Sequence, residues 1–245
     1  MRAFQVTSHD AAPAMADIVA PEPKEGEIRL SIKACGLNFA DLLMVTGHYQ
    51  ETPPLPFTLG MEVSGVIESL GPNTQGPAIG TRVAVFSGQG GLAEMGCYPA
   101  DRVIPIPDEM SFEDAAAFMI AYGTSHVALD YRARMQPGET LLVLGAAGGV
   151  GLTAVEIGKL MGATVIACAR GAEKLEIAKA AGADHLIDAA SCDDLRGAIK
   201  ALGGADVVYD PVGGDQWKAA FRACNPEARL LPIGFASGDI PQVPS

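Results

Sequence analysis

The stretch "LVLGAAGGVGLTAVEIGKLMGATVIACAR", residues 142–170, decides the fold. It begins with a continuous apolar run and passes through a turn of small residues. It then has the spacing of a helix that leads into a second apolar run. The turn has the pattern A-x-G-x-x-G, placed directly after a predicted strand and at the start of a predicted helix. This order predicts the beginning of a βαβ unit.

Chemistry explains why this turn needs small residues. A pyrophosphate must come close to the backbone there, and the helix must pack closely on the strand. The free N–H groups and partial positive charge at the helix N-terminus favour phosphate groups. No Gly-Lys-Ser/Thr follows at P-loop spacing, which argues against a nucleoside triphosphate. The pattern predicts that a dinucleotide binds at Ala146, Ala147, Gly148, Gly149, Val150 and Gly151.

The end of the second predicted strand indicates which dinucleotide binds. An NAD site has an acidic residue there, about 20 residues beyond the turn, to hold the ribose 2′-hydroxyl. This chain has Arg170 at that place, followed by Lys174. Because guanidinium and ammonium groups pair with a 2′-phosphate, we predict NADP(H) as the cofactor. The alternative is that both are ordinary solvated charges at the start of a helix.

Apolar runs alternate with helix-like runs from Thr140 onward. The strand-like runs are "TLLVLG", "ATVIACA", "DHLID", "ADVVYD" and "ARLLPIG". This alternation predicts an α/β fold with a parallel, doubly wound Rossmann sheet that is covered on both faces. Because a complete sheet of this kind has about six strands, we expect a sixth strand and a C-terminal return to be missing after Ser245.

The sequence before residue 110 has a different residue pattern. Short runs such as "EIRLSIKA", "EVSGVIESLG" and "TRVAVFSG" are separated by Gly and Pro, which is typical of antiparallel strands in a β-rich module. Residues 111–133 connect these two regions. A helix cap is predicted at Ser111, and a break predicted at Tyr122–Gly123 divides the segment into two helices. The predicted domains are residues 1–112 and 113–245.

Composition excludes several classes of protein. Hydrophobic residues make up 49% of the chain and the net charge is −12, with scattered basic residues. A core can therefore form, whereas nucleic acid and anionic membrane surfaces are poor partners. No apolar run reaches the ~18 residues of a membrane span, and no signal peptide is visible, so we expect a cytoplasmic protein. The five cysteines form no C-x-x-C pair, which argues against a disulfide framework or a structural zinc lobe.

Five motifs together carry a family resemblance. They are "GLNFAD", "GMEVSGVI", "AYGTSHVAL", "GAAGGVG" and "VVYDPVGG", in this order and at suitable spacing. On these motifs the chain resembles the medium-chain dehydrogenases/reductases, specifically their zinc-free quinone oxidoreductase branch. The resemblance covers essentially the whole chain and implies a GroES-like catalytic domain before the Rossmann domain. It also implies a homodimer, although the strand that makes the subunit contact in the family is absent here.

The resemblance bears on metal binding. In the zinc-dependent alcohol dehydrogenases of this superfamily, a Cys, a His and a further Cys or acid hold the catalytic metal. The first two positions are Asn38 and Met61 here, and "FMIAYGTSH" offers no Cys or acid for the third. Since an amide and a thioether cannot replace thiolate and imidazole, we predict no metal site. Without a Lewis acid an alcohol is hard to ionise, but an electron-poor acceptor can still take a hydride.

The resemblance also implies roles for single residues. Asn38 would donate to the acceptor carbonyl or to cofactor groups, and Thr124 would lie beside the nicotinamide. Asp41 would hold its turn or, alternatively, act as a base. Tyr49 would be a proton donor, or would simply pack beside the Pro-rich loop. The residues implied to contact the cofactor after the fourth and fifth strands of the sheet are Tyr209, Val212, Gly213, Gly234, Phe235 and Ala236.

These expectations describe an NADPH-dependent, zinc-free quinone oxidoreductase with a small-molecule acceptor. Two alternatives stay open. One is an NADPH-dependent reductase of enones or enoyl thioesters, and the other is a non-catalytic NADPH-binding protein.

Overall fold

Short antiparallel strands make up the first of the two units into which the chain divides, Met1–Ile120. The computed structural model describes residues 1–242, so residues 243–245 of the predicted second domain lie outside the described part. The strands of this unit are β1 (Arg2–Val6), β2 (Ala14–Asp17), β3 (Glu27–Gly36), β4 (Phe57–Thr58), β5 (Glu62–Leu70), β6 (Arg82–Phe86), β7 (Met95–Pro99) and β8 (Val103–Pro105). They form a three-stranded sheet in the order β2-β1-β4 and a five-stranded sheet in the order β7-β3-β5-β6-β8.

Two apolar clusters hold the first unit together. One lies within the five-stranded sheet and includes Ile28, Val63 and Val83. Ile28 and Leu30 of this cluster alternate along β3 with partly exposed polar residues. The other joins the smaller sheet to helix α1 (Phe39–Val45) through Val6 and Met44. This helix interrupts the strands of the unit within the segment "NFADLLMVTG". A single 3-10 turn, Ala100–Arg102, connects β7 to β8.

The bridging segment is one continuous helix, α2 (Phe112–His126), which runs directly into a π-helix, Val127–Arg132. The predicted capping at Ser111 is confirmed, because its hydroxyl oxygen accepts a hydrogen bond from the N–H of Asp114 at 3.0 Å. The predicted break at Tyr122–Gly123 is wrong. A glycine inside a helix costs only about 1 kcal/mol relative to alanine, and side chains on both sides of Gly123 are anchored in the second unit.

The second unit begins at Ala121 and contains the parallel sheet. Its five strands are β9 (Thr140–Leu144), β10 (Thr164–Ala169), β11 (His185–Asp188), β12 (Ala205–Asp210) and β13 (Cys224–Pro232). Four helices alternate with them: α3 (Gly149–Leu160), α4 (Ala172–Ala180), α5 (Leu195–Ala201) and α6 (Gly214–Phe221). The strand order is β11-β10-β9-β12-β13, and every neighbouring pair is parallel. The predicted fold class is confirmed.

Both faces of this sheet are covered. Leu141 and Val143 of β9 belong to one apolar cluster, and Leu142 and Leu144 of the same strand belong to another on the opposite face. Burial on both sides explains why the central strands β9, β10 and β12 are largely continuous apolar runs rather than alternating ones. The strand order reverses beside β9, where β10 lies on one side and β12 on the other. Open sheets of this type bind ligands at the carboxyl ends of the strands at such a reversal.

No helix among residues 1–242 is long and apolar enough to cross a membrane.

Candidate functional site

The turn between β9 and α3 lies at this reversal of strand order. Gly145 has a φ of +60°, a left-handed conformation that favours glycine. Gly151 has no room for a side chain, because an added Cβ would lie 2.2 Å from the carbonyl oxygen of Gly145. The two glycines let the helix start directly against the end of the strand. Ala146 between them is fully buried.

The outer part of the turn is open. An added Cβ at Gly149 would meet no heavy atom within 4 Å, and Gly148 and Gly149 are both exposed. Gly148 is the N-cap of α3, so the N–H groups of Gly149, Val150 and Gly151 belong to its first turn. Such N–H groups have no partner inside a helix and are available to an anion. The turn is therefore open on its outer side, where an anion could bind, and closely packed on its inner side.

The loops that follow β12 and β13 meet at the same edge of the sheet. The carbonyl oxygen of Asp210 accepts hydrogen bonds from Ile233 N at 2.8 Å and Gly234 N at 3.2 Å. An added Cβ at Gly145 would lie 2.9 Å from Val212, so the loop after β12 also touches the turn after β9. The structure therefore brings together five groups of residues that the sequence predicted for the cofactor: Ala146–Gly151, Val212, Gly213, Gly234 and Phe235–Ala236.

Asp210 holds the loop after β12. One carboxylate oxygen accepts from Val212 N at 2.7 Å and from Gly213 N at 2.9 Å. Its other oxygen is buried and has no hydrogen-bond partner among residues 1–242. Burial raises the pKa of this carboxyl, and the two N–H groups oppose that rise.

Tyr209 is fully buried, so its side chain offers no surface to a ligand in this structure. Its hydroxyl lies 2.8 Å from the Ser125 hydroxyl, which in turn lies 2.8 Å from that of Thr153. The Ser125 hydroxyl also donates to the carbonyl oxygen of Val150 at 3.0 Å. The hydroxyl chain thus connects β12 and α2 to the first turn of α3. Burial raises the pKa of Tyr209 to about 12, which keeps the phenol protonated.

Arg170 and Lys174 lie where β10 passes into α4. Both side chains are exposed, and neither makes an ion pair within the described part of the chain. The nearby Asp188 carboxylate accepts from Gly171 N and from Ala190 N, each at 2.9 Å. These two N–H groups hold the pKa of Asp188 below its usual value. The two cations are free to pair with a phosphate at this edge.

In the first unit, Asn38 and Asp41 form the start of α1. Asn38 is the N-cap residue, and its backbone N–H donates to the Asp41 carboxylate at 2.9 Å. The second Asp41 oxygen accepts from Gly60 N at 3.1 Å. Asp41 is only 5% exposed, and burial raises its pKa. Since both oxygens are engaged by backbone groups, the geometry suits the holding of the turn rather than proton transfer.

Glu62 was missed by the sequence analysis. It is 2% exposed, and its carboxylate accepts from the side-chain amide of Asn38 at 2.9 Å and from Ile120 N at 2.9 Å. Gly36, paired with Glu62 across β3 and β5, gives it room, because an added Cβ would lie 2.6 Å from a carboxylate oxygen. Burial raises the pKa of Glu62. The signal in the sequence was an acid inside the apolar run "GMEVSGVI".

Tyr49 and Thr124 are the remaining predicted catalytic residues. Tyr49 is half-buried against the apolar cluster of α1, and burial together with Glu51 and Asp41 raises its phenol pKa. Thr124 is half-buried on α2, in the part of that helix that belongs to the second unit. The chain also carries an unpredicted Tyr122 hydroxyl, which donates to Glu156 of α3.

The zinc-ligand positions hold no metal donor set. Met61 is buried in the apolar cluster with Met44, and Asn38 is bonded to Glu62. Within residues 1–242, no group of three His, Cys, Asp or Glu residues is arranged to hold a metal ion. Cys35, beside this segment, has a pKa that burial raises to about 12, so it is a thiol and not a thiolate.

Two family models match the chain. One, described as the alcohol dehydrogenase GroES-like domain, matches residues 24–108, and the other, described as zinc-binding dehydrogenase, matches residues 149–245. A GroES-like domain followed by a Rossmann domain defines a medium-chain dehydrogenase/reductase. The predicted family and fold are confirmed.

Known proteins narrow the class. Quinone oxidoreductase-like protein 2 of Mus musculus is 41% identical over 232 residues, 93% of this chain and 66% of its own length. Among solved structures, the quinone oxidoreductase of Thermus thermophilus, described with its NADPH complex, is 36% identical with a TM-score of 0.84, over 95% of this chain and 74% of that one. The Escherichia coli quinone oxidoreductase complexed with NADPH is 30% identical with a TM-score of 0.90, over 100% of this chain and 76% of that one. The chain belongs to the quinone oxidoreductase branch of the medium-chain dehydrogenase/reductase superfamily.

The chain is shorter than these proteins. It spans between 61% and 68% of the length of the quinone oxidoreductase-like protein 2 relatives that it matches.

Proposed function

We propose that this chain is an NADPH-dependent oxidoreductase that passes a hydride to a quinone. The observation that carries the proposal is the turn after β9, where Gly149 faces open space and Gly151 packs on Gly145. This turn would hold the pyrophosphate. Arg170 and Lys174 would pair with the 2′-phosphate, because both are exposed cations without ion-pair partners in the described residues. When bound, the nicotinamide supplies the hydride, and the protein supplies alignment and polar contacts.

The acceptor needs a proton as well as the hydride. Tyr49 is the proposed donor, because its raised pKa keeps the phenol protonated at neutral pH. Asp41 and Glu62 keep the start of α1 in place and hold Asn38 by its backbone and side-chain N–H groups. The proposed site uses no metal, because the ligand positions hold Asn38 and Met61.

Steady-state oxidation of NADPH with a panel of benzoquinone, naphthoquinone and phenanthrenequinone tests this proposal. We expect protein-dependent turnover that saturates with quinone. Turnover with none of the quinones, measured on protein that binds NADPH, would instead favour a non-catalytic NADPH-binding protein. Binding can be followed by quenching of the single tryptophan, Trp217, which is 2% exposed on α6.

Tyr49 also favours a second candidate, a reductase of enones or enoyl thioesters, since a phenol can protonate the carbon centre that such a reduction leaves. The Tyr49→Phe variant discriminates between the two candidates. A large loss with an enone or enoyl thioester, with quinone turnover spared, would favour the second candidate. Loss with quinones and no turnover of enones in the wild type would favour the first.

A further inference from the structure

The buried hydroxyl of Ser125 contacts the backbone of the turn that is proposed to hold the pyrophosphate. Ser125 is fully buried on α2. Its hydroxyl lies 3.0 Å from the Val150 carbonyl oxygen and 2.8 Å from each of two further hydroxyls, those of Thr153 and Tyr209. All four residues belong to the second unit, so the whole network lies within that unit.

The number of available protons sets the direction of these hydrogen bonds. Each hydroxyl donates one proton. The Tyr209 hydroxyl has Ser125 as its one hydrogen-bond partner in the described part of the chain, and a phenol pKa raised to about 12 keeps it protonated. Because an unpaired buried proton donor is costly, Tyr209 donates to Ser125, and Ser125 donates to the Val150 carbonyl oxygen. The Thr153 proton is then left for the Ala121 carbonyl oxygen, 3.0 Å away.

The bond from Ser125 fixes the direction of one N–H group of the turn. The Val150 carbonyl and the Gly151 N–H belong to the same planar trans peptide and point in opposite directions. The hydrogen-bond ladder of α3 starts with Leu152 N, which donates to the Gly148 carbonyl oxygen at 2.8 Å. The Gly151 N–H precedes this bond and has no carbonyl partner within Gly149–Leu160. Holding the Val150 carbonyl therefore directs the Gly151 N–H toward the N-terminal end of α3.

Two physical effects make this N–H a better donor. The first turn of a helix frays readily, and a buried bond to its carbonyl opposes the fraying. Hydrogen bonds in series also polarise one another, so a peptide whose carbonyl accepts a bond donates more strongly through its N–H.

We infer that Ser125 is a positioning residue for the pyrophosphate of the cofactor. Its bond to the Val150 carbonyl oxygen holds and polarises the peptide whose N–H, that of Gly151, donates to a phosphate oxygen. This inference rests on the proposed function, in which the turn binds the pyrophosphate. The sequence analysis gave Ser125 no role, because its partners Val150 and Tyr209 lie 25 and 84 residues away in sequence.

Nucleotide affinities of Ser125 variants test the inference. Ser125→Ala removes the donor to Val150, so the Kd for NADPH should rise about 3- to 10-fold, the effect of one hydrogen bond. Adenosine 2′-monophosphate has the 2′-phosphate but lacks the pyrophosphate, so its Kd should stay unchanged. Ser125→Cys keeps nearly the same shape and donates more weakly, and it should show the same selective loss. Quenching of Trp217 follows NADPH, and calorimetry follows the fragment.

Two further variants separate positioning from stability. Tyr209→Phe removes the hydroxyl that donates to Ser125 and leaves the bond from Ser125 to Val150 in place. It should lower the melting temperature, while the Kd for NADPH stays within about twofold of the wild type. Ser64→Ala is the matched control, because Ser64 is a fully buried serine of the first unit and its hydroxyl donates to the Phe112 carbonyl oxygen. It should also lower stability without changing the Kd.

Three results would overturn the inference. One is an unchanged Kd for NADPH in both Ser125→Ala and Ser125→Cys. The second is an equal loss of affinity for adenosine 2′-monophosphate, and the third is a Kd for NADPH that follows the melting temperature across all the variants. The last two would show that Ser125 only stabilises the fold. Wild-type protein that binds NADPH but reduces no quinone would instead remove the proposed function, and the Kd values would still decide the role of Ser125.

Discussion

Gly151 packs so closely against Gly145 that an added Cβ would lie 2.2 Å from the carbonyl oxygen of Gly145 and 2.9 Å from its carbonyl carbon. Both neighbours are backbone atoms, which cannot move aside as the end of a side chain can. Gly149, two residues earlier, has the reverse environment, with nothing within 4 Å of an added Cβ. The glycines of one turn therefore serve two purposes, one for packing and one for ligand access.

The two glycines should respond differently to alanine. Gly151→Ala should lower the free energy of unfolding by about 1–3 kcal/mol, the usual cost of overpacking. Gly149→Ala should fold as well as the wild type, because alanine favours helix and its methyl meets open space. It should nevertheless raise the KM for NADPH, since the methyl occupies the space proposed for the pyrophosphate. Denaturant unfolding and NADPH titration of both variants check this. Normal NADPH binding by Gly149→Ala would contradict the proposed phosphate site.

Arg170 and Lys174 should set the preference for NADPH over NADH. Replacing either with alanine should raise the KM for NADPH by about tenfold or more, since a charge-assisted hydrogen bond contributes roughly 1.5–3 kcal/mol. The KM for NADH should change little, because it lacks the 2′-phosphate. Lys200→Ala on α5 is a suitable control for the loss of one positive charge. If the ratio of the KM for NADPH to the KM for NADH is unchanged in both Arg170→Ala and Lys174→Ala, these two residues do not bind the 2′-phosphate.

The hydroxyl chain of Ser125 should stabilise the second unit. Tyr209→Phe removes a buried hydroxyl that is 2.8 Å from Ser125, at an expected cost of about 1 kcal/mol in unfolding free energy. Ser125→Ala should cost more, because it removes the contacts of one hydroxyl with Tyr209, Thr153 and Val150 together. The exposed Tyr131→Phe variant, which removes a hydroxyl from a residue that is 69% exposed, should cost little. Equal unfolding free energies of Tyr209→Phe and Tyr131→Phe in urea would show that the hydrogen-bonded hydroxyls around Ser125 contribute nothing to stability.

Asp210 should make stability depend on pH. Burial raises its pKa in the folded chain, so the unfolded chain loses this proton first as the pH rises. The folded state consequently loses stability from the ordinary carboxyl pKa of about 4 up to the raised value. Asp210→Asn cannot ionise and keeps an oxygen for Val212 N and Gly213 N. Its stability relative to the wild type should therefore increase as the pH rises through this window and then stay constant.

Unfolding free energies of both proteins at several pH values measure this difference. Asp193→Asn, at an exposed position, controls for the loss of one negative charge. The difference in unfolding free energy between Asp210→Asn and the wild type could instead be independent of pH or shrink as the pH rises. Either result would contradict a raised pKa of the buried Asp210 carboxyl.

The sequence predicted the parallel sheet well because the central strands β9, β10 and β12 are largely apolar runs and helix-like runs alternate with the strands. It failed at Tyr122–Gly123, where local preference suggested a break. Hydrogen bonds from Tyr122 to Glu156 and from Ser125 to Val150 hold that part of α2, and neither partner is near in sequence. Tertiary contacts decided the structure there.

In the candidate site, too, features set by local sequence could be predicted and features set by tertiary contacts could not. The glycine turn could be predicted because its chemistry is local and needs fixed spacing. Glu62 could not be assigned, because its role depends on Asn38 and Ile120, which are 24 and 58 residues away in sequence. Tyr209 matched a family position beside the cofactor, whereas its buried bond to Ser125 assigns it to the support of the turn.

A single-turnover experiment tests the central claim most directly. The protein, dialysed against a metal chelator, is mixed in a stopped-flow instrument with NADPH and a quinone, and the absorbance of the reduced nicotinamide is followed. We predict a protein-dependent decay that saturates with quinone, slows with NADPH deuterated at the transferred position, and is faster with NADPH than with NADH. A decay no faster than that without protein, or one that requires added zinc, would contradict metal-free hydride transfer by this chain.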